Sequence, residues 1–175
     1  FSFANLAVEM ALSRGGDQAV IKNKDKYDFF GGISKSVDTG SKVKSRVVAS
    51  ALSELIQGCD NIVIMGHRFP DFDAMGSAFG VACIAKSLGK NAYIATDANK
   101  SAAKALVENV DEDFKECIVD CEFAKTKLSG KKNLLVVVDT HIKSFVEFPE
   151  LLEMARMTVV IDHHRKAVDY IDDAI

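Results

Sequence analysis

The sequence predicts an α/β fold, a mostly parallel sheet covered by helices, on three observations. From Asn61 onward, apolar runs of strand length alternate with segments of helical spacing, as in chains that wind a parallel sheet. Three of those runs lead within two residues into histidine and aspartate, at the strand ends where an open parallel sheet collects its ligands. At 175 residues, with 48% hydrophobic and 27% charged residues, the chain can bury one full core.

Taken in order, the first forty residues differ from the rest. Residues 5–13 read as the end of an amphipathic helix, Arg14-Gly-Gly-Asp17 as a turn, and 18–22 and 27–30 as two strands joined by a Lys/Asp/Asn loop. A helix and one hairpin bury no core of their own. This part therefore reads as a fragment that docks on the remainder or as the tail of a domain begun upstream, in keeping with a start at Phe1. Residues 41–57 carry Val43, Val47, Val48, Ala51, Leu52, Leu55 and Ile56 at helical spacing among Lys, Arg and Glu, which makes an amphipathic connecting helix. There follow a strand at 62–65, a helix at about 74–88, a strand at about 92–95, a helix at about 99–109 and a weaker strand near Cys117. A helix at about 121–128, a strand at 134–138, a helix near 149–155 and a strand at 157–161 complete the pattern. The boundaries so drawn are 1–34, 35–59 for the connecting helix, and 60–175 for the main domain.

A net charge of −3 supplies no broad basic surface for long nucleic acid. No apolar run approaches the roughly 20 residues that cross a bilayer, and no secretory signal pattern is present. Cys59, Cys83, Cys117 and Cys121 include one Cys-x-x-x-Cys without a second pair, so they read as reduced thiols rather than zinc ligands, with Cys83 a small hydrophobe in an apolar helix. Gly76 and Gly80 read as points of close helix-to-sheet approach. Asp169, Asp172 and Asp173 read as a solvated acidic turn.

The chemistry concentrates in three segments. Gly66-His67-Arg68-Phe69-Pro70-Asp71-Phe72-Asp73, Asp139-Thr140-His141 and Asp162-His163-His164 hold every histidine of the chain, each beside aspartate. One Asp-rich loop is an ordinary solvated turn, but three at strand ends with all the imidazoles form a ligand set. Imidazole and carboxylate without thiolate suit manganese, iron or magnesium better than structural zinc, and manganese is the first choice. Carboxylates gathered at one point repel one another unless cations neutralise them, and this many acids call for two ions. Two ions about 3.5–4 Å apart can hold a hydroxide and clamp the oxygens of an in-line displacement, so the reaction indicated is metal-dependent phosphoester hydrolysis.

With those motifs in order over about residues 60–165, the chain resembles the DHH phosphoesterase superfamily, and within it the GdpP-type cyclic-di-AMP phosphodiesterases. Two features carry the narrower likeness. The stretch Ala11-Leu-Ser-Arg-Gly-Gly-Asp-Gln-Ala-Val-Ile-Lys22 with 27–32 resembles the last helix and hairpin of a GGDEF-like domain, of which 1–34 would be the remnant. The wording of Ile64-Met-Gly-His67, Val138-Asp-Thr-His141-Ile-Lys-Ser144 and Pro149-Glu-Leu151 is also similar beyond the ligands.

The resemblance implies that His67 and Asp71 bind one manganese, Asp73 and His163 the other, and that Asp139 bridges the two, with His164 facing the phosphate. Asp71 has a second reading as the cap of the helix that follows. Asp162 reads as orienting a histidine ring, His141 as either a phosphate contact or an exposed loop residue, and Arg68 as a phosphate contact or a solvated cation. The implied substrate is a cyclic dinucleotide, opened to linear pApA at the cytoplasmic face of a membrane protein whose spans lie upstream, with a possible homodimer. The superfamily's later metal-binding aspartate and its DHHA1 domain have no counterpart within these 175 residues, which implies an incomplete second metal site and little activity for this stretch alone. A short-RNA oligoribonuclease and a noncatalytic dimerisation module are the competing expectations.

Overall fold

The computed structural model describes residues 18–23, 26–31, 42–97, 107–164 and 169–175 apart from 173, together with 4, 7, 8 and 104. It divides into two compact units, Phe1–Arg46 and Val47–Ile175. In the first, β1 (Gln18–Asn23) and β2 (Lys26–Gly31) pair antiparallel with Gln18 opposite Gly31. Ala4, Ala7 and Val8 are helical; the expected turn at Arg14-Gly-Gly-Asp17 and most of the expected first helix lie outside the described residues.

The helix α1 (Lys42–Gln57) runs across the division between the units. Its C-terminal half buries Ile56, with Leu52 and Leu55 packed beside it, whereas Val47 and Val48 stand exposed. Only part of the expected apolar stripe is therefore covered within the second unit.

The second unit is built on five parallel strands in the order β5-β4-β3-β6-β7. The chain enters at the centre with β3 (Asn61–Met65), winds outward through β4 (Asn91–Ala95) and β5 (Ile118–Val119), then returns to add β6 (Asn133–Val138) and β7 (Thr158–Ile161) on the other side. The direction of winding thus reverses between β3 and β6. The segments leaving those two strands go on to helices packed on opposite faces of the sheet, the switch point at which open α/β sheets gather their ligands.

Side chains alternate across the sheet, so each strand feeds two cores. Ile62, Ile64, Leu134 and Val136 pack with Ile56 of α1 and with Ala78, Ala82 and Ala85 of α2 (Phe72–Ser87). Val63, Met65, Leu135 and Val137 face α4 (Cys121–Leu128) and α5 (Pro149–Met154) through Ala124, Leu128 and Leu151. A short helix, α3 (Glu112–Lys115), precedes β5 where the sequence suggested no element. The expected helix at 99–109 falls largely outside the described residues, with 104 and 107–109 helical. At the amino edge, Asn61 donates to Asn133 at 3.0 Å and accepts from Asn91 at 3.4 Å, the three in register across β4, β3 and β6.

Helix α2 begins and ends on local chemistry. Asp71 caps it by accepting from the N–H groups of Asp73 at 2.9 Å and Ala74 at 3.0 Å. Gly89, at φ 72°, takes the left-handed conformation that stops it. Two expectations are corrected here. Gly76 and Gly80 lie on the exposed face of α2, with open space where a Cβ would stand, so they do not mediate packing. The close approach is made instead by Ala74, Ala78, Ala82 and Ala85 and by Gly66, where a Cβ would stand 3.2 Å from the Cβ of Ala74. Cys83 also faces solvent, because the apolar stripe of α2 turns away from it.

Candidate metal centre

Each of the three motif segments leaves the carboxyl end of a strand, and the first two are held there by backbone pairing. After β3, His67 forms an isolated antiparallel bridge with Val146, flanked by Arg68 N–H to Phe145 O at 2.9 Å and Glu147 N–H to Gly66 O at 3.0 Å. The His67 ring is buried and stacks on Phe145, centroids 5.4 Å apart and planes 18° apart. Its Nδ1 is buried without a hydrogen-bond partner among the described residues, while Nε2 faces the cluster. After β6, Asp139 donates its N–H to Ile161 O of β7 at 2.9 Å and is buried. Asp139 has φ 58°, left-handed backbone that an L-residue adopts at a cost and that aspartate tolerates better than most.

The carboxylate of Asp139 faces two ways. Oδ2 lies 3.5 Å from Nε2 of His67, which is also 3.8 Å from Oδ1 of Asp71. Oδ1 lies 3.3 Å from Nε2 of His163, which is 3.5 Å from Oδ2 of Asp73. The structure thus brings His67, Asp71, Asp73, Asp139 and His163 together beyond the carboxyl ends of β3, β6 and β7. Two triples have ligand atoms all within 4.8 Å of one another: His67 with Asp71 and Asp139, and Asp139 with His163 and His164. The second contains His164 where the resemblance implies Asp73. Nδ1 of His164 is already bonded to Asp162 at 2.7 Å, against 3.8 Å to Asp139, which leaves His163 as the freer imidazole. Asp71 caps α2, its second reading, through the same Oδ1 that faces His67.

Asp162 grips two rings. Its Oδ2 bonds Nδ1 of His141, and its Oδ1 bonds both Nδ1 and the backbone N–H of His164. His141 is thereby mostly buried and held by a carboxylate, which neither of its sequence readings anticipated. Burial pushes the Asp162 carboxyl up, but the hydrogen bonds from His141 and His164 outweigh it and hold the group below the usual carboxylate range. Asp162 in turn raises His164 above an ordinary imidazole, against burial, with Asp139 and Asp73 adding to the effect. Asp139 goes the other way. Burial, then the like charges of Asp73 and Asp71, lift it above the usual range despite His164 and His67.

Arg68 is exposed, but not merely solvated: its guanidinium lies 5.0 Å from the centroid of Phe145 and 5.6 Å from that of Phe69. Asp169 is corrected from an idle surface acid, since it accepts from Ser144 Oγ at 2.5 Å and from Ser144 N–H at 3.3 Å and so anchors the 3-10 turn Lys143–Phe145. Two residues of the setting escaped the sequence reading. Phe145 supports His67, and buried Glu147 accepts from Asp97 N–H at 2.8 Å and Thr96 Oγ1 at 3.3 Å, joining the end of β4 to the loop that holds His67. An acid among apolar residues in Phe145-Val-Glu-Phe148 was the available signal.

Residues 61–175 match the DHH family, N-terminal domain. The chain is 38% identical over 177 residues to the cyclic-di-AMP phosphodiesterase PdeA of Listeria monocytogenes, and 35% identical over 177 residues to the cyclic-di-AMP phosphodiesterase GdpP of Bacillus subtilis. Each match takes in 98% of this chain and 27% of the relative, so the chain spans about a quarter of the length of these proteins. Among solved structures, an exopolyphosphatase-related protein from Bacteroides fragilis shares the fold with TM-score 0.56 at 19% identity, covering 74% of this chain and 38% of that one. No helix among the described residues is long and apolar enough to cross a membrane. With histidine and aspartate gathered at three strand ends and the matching signature spanning all three, the chain belongs to the DHH family.

Proposed function

We propose that this chain is the DHH portion of a phosphodiesterase that opens cyclic-di-AMP to linear pApA with two manganese ions. The observation that carries the reading is the carboxylate of Asp139, whose two oxygens address His67 with Asp71 on one side and His163 with Asp73 on the other. The donor set fits a pair of hard divalent cations: imidazole and carboxylate only, with carboxylates crowded closely enough to lift Asp139. His67, Asp71 and Asp139 would hold one ion, and Asp73, His163 and Asp139 the other. When bound, such ions neutralise phosphate charge and activate water for in-line attack.

The protein's own groups do the rest. Asp162 fixes the ring of His164 and stabilises its cationic form, so His164 meets the substrate phosphate as a positioned, charge-bearing donor. His141, held by the same carboxylate, keeps Asp162 in place. Arg68 adds a cation at the rim. The hairpin of β1 and β2 belongs, on this reading, to a GGDEF-like remnant, and the enzyme works as a homodimer on the cytoplasmic face of a membrane through upstream spans.

The test is incubation of the protein at its natural length with manganese and cyclic-di-AMP, followed by separation of products. Accumulation of pApA is expected. Faster release of mononucleotide from a dinucleotide than opening of the ring would replace the proposal with the oligoribonuclease alternative, and absence of both reactions would replace it with the noncatalytic module.

A further inference from the structure

Phe69 stands between His67 and Asp71 in sequence, yet 67% of it is exposed. Single exposed apolar residues are ordinary, but the setting of this one is not. Its ring meets Phe145 edge to face with centroids 6.0 Å apart, and Phe145 is the ring stacked on His67. The Arg68 guanidinium lies against both phenylalanines. The orientation of Phe69 is thus set from two sides, and the remainder of its surface is open, one ring away from the His67 and Asp139 cluster.

A nucleotide is a phosphate and a flat base separated by one sugar. Here a cluster that would attract phosphate once it held cations and a flat apolar surface are separated by one ring, that of Phe145. Every base offers a π face, and proteins hold bases without reading them by stacking on aromatic rings, with arginine in support. We infer that Phe69, braced by Arg68, is a stacking platform for the base of a nucleotide whose phosphate is held at the Asp139 cluster. The occupant is a base rather than a protein surface, because the exposed apolar side chains of this segment, Phe69 and Phe72, alternate with the exposed charges of Arg68, Asp71 and Asp73, and two rings are far below what a protein interface needs. This assignment rests on the phosphodiesterase reading for the identity of the natural nucleotide.

The experiment measures dissociation constants of AMP and of ribose 5-phosphate, in manganese, for the protein at its natural length and its variants Phe69→Leu and Phe69→Trp. Stacking of one base on a ring supports about a tenfold preference for AMP in the wild type, close to none in Phe69→Leu, and an undiminished one in Phe69→Trp. Leucine keeps an apolar side chain at an exposed position, and unchanged manganese binding verifies that the cluster is intact. An equal preference in wild type and Phe69→Leu would overturn the platform, as would equal weakening of both ligands. Cyclic-di-AMP opening is scored on the same samples: a Phe69-dependent preference without opening removes the enzyme reading and keeps the platform, and the reverse outcome removes the platform alone.

Discussion

Oδ1 of Asp139 lies 3.3 Å from Nε2 of His163, and the backbone that aims it there is left-handed. Strain at a non-glycine residue persists where surrounding structure holds it, and here β7 does so through Asp139 N–H to Ile161 O. The same carboxylate is buried among like charges. Asp139 is therefore costly to the fold by itself, a cost that the proposed cations would offset.

Asp139→Asn keeps a residue that tolerates left-handed backbone and removes the charge, so the metal-free variant gains about 1 kcal/mol, or about 2–4 °C in Tm. The sign follows from the raised carboxyl of the folded state. Below the ordinary carboxylate range the group is protonated in both folded and unfolded chains, and the variant has no advantage. As pH rises through the interval up to the raised folded value, ionisation penalises the folded wild type, and the advantage appears and persists at neutral pH. Added manganese reverses the order by stabilising the wild type alone. Thermal unfolding from acid to neutral pH, with and without manganese, checks both halves.

Asp162→Ala should lower phosphodiesterase activity about 10–100-fold, because it releases the rings of His141 and His164 without removing a bridging ligand. Asp139→Ala should abolish activity. Equal, mild losses in the two variants at saturating manganese would contradict the bridging role.

Glycines of the same neighbourhood should respond in opposite directions. Gly76→Ala and Gly80→Ala place a methyl in open space on an exposed helix and stabilise by about 0.5–1 kcal/mol each. Gly66→Ala meets Ala74 at 3.2 Å. Overpacking of about 1–3 kcal/mol outweighs the roughly 0.4–1 kcal/mol from a stiffer unfolded chain, so it destabilises. Urea titration measures all three, and adding Ala74→Gly should restore part of the Gly66→Ala loss.

Glu147→Ala leaves the buried Thr96 hydroxyl and the Asp97 amide without this acceptor and should cost about 2–3 kcal/mol in urea unfolding. Glu147→Gln keeps a side-chain carbonyl there and should cost less. Similar losses in both would mean that the charge of Glu147, rather than its acceptor, joins β4 to the His67 loop.

Much of this is legible in the sequence because its causes are local. The runs at β3 and β6 announce buried strands by composition, α4 lies at 121–128 as its spacing suggests, and Asp71 stands where a helix start wants an acid. Histidine and aspartate follow three such runs, so the sequence by itself determined which side chains could meet. It did not determine how. Asp162 reaches His141 across 21 residues, Glu147 reaches Thr96 across 51, and both pairings exist only because β6 lies between β3 and β7. Helical spacing alone does not say which face of α2 meets the sheet, so it points Gly76, Gly80 and Cys83 inward and gives no sign of the close contact at Gly66. The left-handed turn at Asp139 and the stacking of His67 on Phe145 likewise depend on neighbours that strand order supplies. Periodicity is a property of adjacent residues, whereas the aim of a buried side chain is set by whatever the folded chain packs against it.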